Sequence, residues 1–264
     1  MSKGPHAWSL LSAAMASGML SEQSFGAENV RAFTDGAPVT RTMTVKGTAA
    51  KTFVLLVITV ALAAVGWNHA GRVIKATSGP GWLLGYFLLI ALSVFAARRP
   101  KLALGLSLVY AVMMGLWMGA ISRIYDQAYE GIVLQTLAAT VGTFLVCLVL
   151  YTTRSVKVTG KFVMVLSAAI GGLLMLYVFG WIWSLFSGGP AFFDQLNGVG
   201  FAISVFACVL AALSLFVNFA IIEGGAAAGA PKGMEWYAAF GLLSTLVWLY
   251  LEILELIART RARQ

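Results

Sequence analysis

Charge is what this sequence has least of. Asp, Glu, Lys and Arg make up 11% of its 264 residues, where a soluble domain carries about 25%. Hydrophobic residues reach 60% and the mean hydropathy is +0.87. Such a composition cannot cover a water-exposed surface, which excludes a soluble globular enzyme, a coiled coil and a disordered chain. Cysteine and histidine number two each. Cys147 and Cys208 lie inside apolar stretches, where they read as packing residues, and with His6 and His69 they are too few for a structural zinc site. Catalytic patterns are missing as well. There is no Gly-x-Ser-x-Gly elbow, no Walker loop and no haem-type His pair, and neither His supports a Ser–His dyad within a membrane. The last apolar run has no Lys to carry a retinal. The chain is therefore not expected to be an enzyme, to need a cofactor or to hold a firm metal site.

What the sequence has instead is seven apolar runs, at 52–67, 82–97, 102–121, 131–151, 162–186, 199–223 and 236–258. A crossing of the hydrocarbon core takes about 20 residues, so the first two runs need slight extension. Breaks fall between them at Ser78-Gly79-Pro80-Gly81, Pro100, Gly188-Gly189-Pro190 and Gly229-Ala230-Pro231. The expectation is an all-α polytopic membrane protein with a tail at 1–50, a seven-helix membrane domain at 51–258 and a short basic end at 259–264. In the tail, Trp8, Leu11, Met15 and Met19 share one helical face, which suits a short interfacial helix as well as a flexible tail. Gly115-xxx-Gly119 and Ser167-xxx-Gly171 offer faces for close helix packing. The net charge of +8 calls for no nucleic acid, because membrane proteins keep basic residues in their cytoplasmic loops. With the tail inside, twelve basic residues fall on the inner side and six on the outer. That bias puts the N-terminus in the cytoplasm and the C-terminus outside, against the pull of Arg259, Arg261 and Arg263 at the far end.

An ionisable residue at membrane depth is costly, so each one is a functional candidate. Of the ten acids, Glu22, Glu28 and Asp35 are in the tail, and Asp126, Glu130 and Asp194 are in outer loops. The other four, Glu223, Glu235, Glu252 and Glu255, crowd into the last two spans and their connection. Glu252 is the sharpest, within Trp248-Leu-Tyr-Leu-Glu-Ile-Leu-Glu. Glu255 follows three positions later on the same helical face, where two carboxylates either share a proton or bind a cation between them. It is also nearer the Arg-rich end and so expected to be the better hydrated. Glu223 ends the sixth span, with Asn218 one to two turns back.

The stretch Ile222-Glu223-Gly224 through Gly229-Ala-Pro-Lys-Gly-Met-Glu-Trp-Tyr-Ala-Ala-Phe, closing with Trp248-Leu-Tyr-Leu-Glu-Ile-Leu-Glu-Leu, resembles the Bax inhibitor-1 family, in particular a bacterial branch of it. Met43-Thr-Val before Lys51-Thr52 is similar too, so the resemblance covers about residues 43–258. It implies a seven-helix bundle with a central last helix in a bacterial inner membrane, acting as a pH-sensitive calcium leak gated by an Asp on helix six and an Asp on helix seven. The helix-seven Asp maps onto Glu252 in Leu251-Glu-Ile-Leu. The helix-six Asp falls at Val217 or Asn218, with Glu223 the nearest acid, so the usual two-carboxylate switch has no direct counterpart on helix six. The partners implied are the lipid bilayer, calcium as the permeating ion, and other membrane proteins. An alternative of another class fits the sparse charge and small-residue faces equally well: a non-transporting interaction protein in stress response or membrane quality control.

Overall fold

The computed structural model describes residues 41–77, 102–187 and 198–263. Seven helices occur among them: α1 (Val45–Asn68), α2 (Ala70–Thr77), α3 (Ala103–Ala128), α4 (Ile132–Thr152), α5 (Gly160–Ser187), α6 (Val199–Ala227) and α7 (Met234–Arg261). Apart from one isolated antiparallel bridge, Thr42 with Pro231, the described residues contain no β-structure. All the helices but α2 are long and apolar enough to cross a membrane. Even the shortest, α4 with 21 residues, reaches about 31 Å at the rise of an α-helix, the thickness of the hydrocarbon core. Six of the seven expected spans are thus in place; the run at 82–97 lies outside the described residues. Not expected from the pattern of apolar runs is α2, an eight-residue helix after α1 with Arg72 and Lys75 exposed and Val73 and Ile74 half-buried.

Helix ends follow local chemistry. Thr44 caps α1 from an extended backbone, its hydroxyl accepting the Gly47 N–H at 2.9 Å. Gly131, with φ of 75°, opens α4, and its N–H reaches the Asp126 carboxylate at 3.1 Å. Past the end of α6, Gly229 turns left-handed with φ of 68°, and the Ala230 N–H closes back on the Gly225 carbonyl at 3.0 Å. Pro231 then bars any continuation.

Two compact units divide the chain. Within the described residues, one comprises 41–77, 102–124 and 217–244. In it α1 and α3 run parallel in near backbone contact. A Cβ at Gly115 would lie 2.5 Å from the Thr59 carbonyl oxygen, one at Gly119 would meet the Ala63 carbonyl, and one at Gly66 the Leu116 carbonyl. Further along both helices, the Arg123 guanidinium lies over the Trp67 ring at 5.6 Å. The Gly115-xxx-Gly119 face therefore packs as expected of small residues in lipid. Gly171 does not behave this way: nothing stands within 4 Å of where its Cβ would be, so the Ser167-xxx-Gly171 face is not a close-approach surface among the described residues.

The other unit comprises 125–216 and 245–263. There the Cys147 thiol donates to the Ala212 carbonyl at 3.7 Å. The C-terminal arginines turn back onto their own unit: Arg261 donates to the Glu130 carbonyl and the Gln135 side chain at 2.9 and 2.8 Å, and the Arg263 guanidinium lies over the Phe201 ring. Buried hydroxyls in both units bond the carbonyl one turn back, as Thr52 does to Thr48 and Thr140 to Thr136. That satisfies them without water. Of the six long helices, α7 is the most enclosed, with 78% of its most apolar stretch buried against 22% for α1, α4 and α5.

Candidate functional site

The enclosed helix α7 carries three carboxylates, Glu235, Glu252 and Glu255, and all three are buried. A buried carboxylate needs compensation for its lost water, and each finds it differently. Glu252, fully buried, accepts the Trp248 indole N–H on Oε1 at 2.9 Å. One helical turn separates them, so the α-helix itself aims the indole at the acid. Glu255 accepts both Nε and Nη2 of Arg259 on its Oε1, at 2.9 and 2.6 Å. It was expected nearer water; it is buried instead, and a guanidinium one turn on does what hydration would have done.

Glu235, in the first turn of α7, is held from outside its own helix. Its Oε1 takes the Thr44 N–H at 2.9 Å and the Thr44 hydroxyl at 3.2 Å. Its Oε2 pairs with Lys51 Nζ at 2.6 Å, and that ammonium also lies over the Trp236 ring at 5.2 Å. Gly47 is bare so that α1 can approach: a Cβ there would collide with the Glu235 carboxylate. Glu235 is one of the four acids of the last two spans and their connection, and no sequence spacing assigns it a role. Its partners lie 184 and 191 residues away, beyond any spacing rule. The available signals were an acid at a helix N-terminus and a lysine, Lys51, immediately before the first apolar run.

Asn218 is buried on α6, and Glu223, further along the same helix, is half-buried. Both belong to the unit of residues 217–244, whereas Glu252 and Glu255 belong to the other. Among the described residues, no three His, Cys, Asp or Glu side chains gather as a metal ion would require. His6, Glu22, Glu28, Asp35 and Asp194, and the aromatic-apolar face of Trp8 to Met19, lie outside the described residues.

Six long apolar helices, with buried carboxylates gathered on the last and most enclosed of them, define a multi-pass membrane protein. The chain belongs to the Bax inhibitor 1 like family, which matches residues 13–262, a span reaching further into the tail than the resemblance read from the sequence. No curated protein and no solved structure matches it.

Proposed function

We propose that the protein is a passive, proton-modulated cation leak of the bacterial inner membrane, with calcium the permeating ion and no enzymatic activity. The observation that carries this reading is Glu252: a carboxylate with 0% exposure, in mid-helix on the most enclosed span, at the position where the family resemblance puts a gating acid. A structural role alone is served more cheaply by an apolar side chain. Carboxylate oxygens are the hard ligands calcium selects, and protonation removes their charge, so a path they line should respond to pH. Glu252 is the principal candidate for proton sensing; Glu223, Asn218 and Glu255 are further candidates, each taken on its own. Glu255 is already paired with Arg259.

Seven crossings, with the N-terminus cytoplasmic and the C-terminus outside, belong to the same proposal. Two parallel helices that both cross, as α1 and α3 would, need the chain joining them to cross back, and the apolar run at 82–97 has nearly the length to do so. The arginines that argued against a full last crossing are engaged at Glu255, Glu130, Gln135 and Phe201, which lessens their claim on the cytoplasmic side. Meanwhile α4 to α7 form four crossings, an even number, so the end of α7 and the start of α4 should share one side. The Arg261–Gln135 bond supports that.

Calcium entry into proteoliposomes of purified protein tests the leak. Entry above protein-free liposomes at some pH from neutral to acidic is expected; none at any pH would leave the interaction reading, a regulator working through helix contacts and other membrane proteins.

A further inference from the structure

Just ahead of α1, residues 41–44 run extended along the connection between α6 and α7. The Met43 N–H donates to the Ala230 carbonyl at 2.7 Å and the Lys232 N–H to the Arg41 carbonyl at 2.9 Å, making the bridge of Thr42 with Pro231. Two backbone bonds do not hold an extended segment in place by themselves; isolated strand pairs are marginal even when longer. The remaining hold comes from Glu235. One of its oxygens takes Thr44, at the end of the extended segment, and the other takes Lys51, nearly two turns into α1. Lys51 in turn donates to the Lys232 carbonyl at 3.3 Å, on the strand partner of Arg41. Met43 is 2% exposed, beside Ala230 at 2%. Every one of these residues lies in the same compact unit.

We propose that residues 41–44 form a releasable strap, latched onto the α6–α7 connection by the Lys51–Glu235 pair. The arrangement has the parts of a latch. A short contact of few backbone bonds opens readily. A single carboxylate serves both the strap and the helix that follows it. The loop beneath it, between Gly229 and Gly233, is closed by a left-handed glycine and a proline, so it keeps its shape as a fixed seat. Loss of the pair opens the strap while the helices stay folded. The proposal does not depend on the leak reading, since its readout involves no flux.

The test is thiol labelling of Met43→Cys in nanodiscs, in a Cys208→Ala background, with Cys147 as an internal reporter of the helical body. Mass spectrometry reads the two thiols separately. Glu235→Gln preserves the shape of the side chain and removes its charge, and Lys51→Gln removes the other half of the pair. Each should raise the maleimide labelling rate at position 43 by about tenfold or more, as expected when a local opening loses a charge-assisted bond, while Cys147 stays as slow as before. Two results overturn the proposal. Unchanged labelling at position 43 in both variants means that burial of Met43 alone seats the segment. Labelling of position 43 and Cys147 that rises in step means that the pair holds the whole fold, not a strap.

Discussion

Replacing Arg259 by Met removes the guanidinium that holds Glu255 and leaves a buried carboxylate beside an apolar chain. Breaking a buried pair from one side costs about 3–5 kcal/mol; Arg259 is 22% exposed, which points to the lower end. The thermal midpoint of the detergent-solubilised protein should fall by several degrees in Arg259→Met. It should recover most of the loss in Arg259→Met with Glu255→Leu, because the second change removes the buried carboxylate that Arg259 compensated. Tyr110 is the opposite case. Its ring meets Phe240 edge-on at 4.9 Å, but its buried hydroxyl has no hydrogen-bond partner among the described residues. Tyr110→Phe keeps the ring contact and should be neutral or stabilising by about 1 kcal/mol, read from the same midpoint; a clear loss would show that the hydroxyl is satisfied. At this scale the sequence was half legible. Trp248 with Glu252, and Glu255 with Arg259, stand at the four-residue spacing that places side chains on one helical face. The Glu235 site was hidden, because a carboxylate served by Thr44 and Lys51 exists only once the two ends of the membrane body meet.

Helices were the most legible level, since an apolar run of membrane length has few other fates. Six runs became six long helices, most of them reaching past the run into polar residues on at least one side: α1 begins seven residues before its run because Thr44 supplies the cap. Less legible was which small residues matter. Gly119 and Gly171 both sit in small-xxx-small patterns, but only Gly119 meets another backbone. The sequence rule names residues able to pack closely and is silent on whether a helix stands opposite. The contrast gives a paired prediction. Gly119→Ala should destabilise by about 1–3 kcal/mol, because the Ala63 carbonyl must move. Gly171→Ala meets nothing and gains helix propensity, so it should be neutral or stabilising by up to about 1 kcal/mol. Urea or thermal unfolding of the two variants side by side decides it, and equal losses would contradict the α1–α3 contact.

At the scale of the molecule, the proposed orientation draws on where the ends of α7 are tied: its start to the segment before α1, its end to the start of α4. Reporter fusions at Gln264 should be active on the extracytoplasmic side and inactive in the cytoplasm; the reverse would mean that the last segment turns back. The sequence showed a membrane protein and singled out Glu252, yet not that Glu255 is paired with a guanidinium. The most direct measurement is the pH profile of calcium flux in proteoliposomes, compared between the wild-type protein and Glu252→Gln at equal amounts of folded protein. The expected result is a wild-type flux that changes between neutral and acidic pH, and a Glu252→Gln profile that is flat or shifted. A profile that Glu252→Gln leaves unchanged while Glu223→Gln abolishes it would move the switch to α6, and one unchanged in both would contradict gating by these carboxylates.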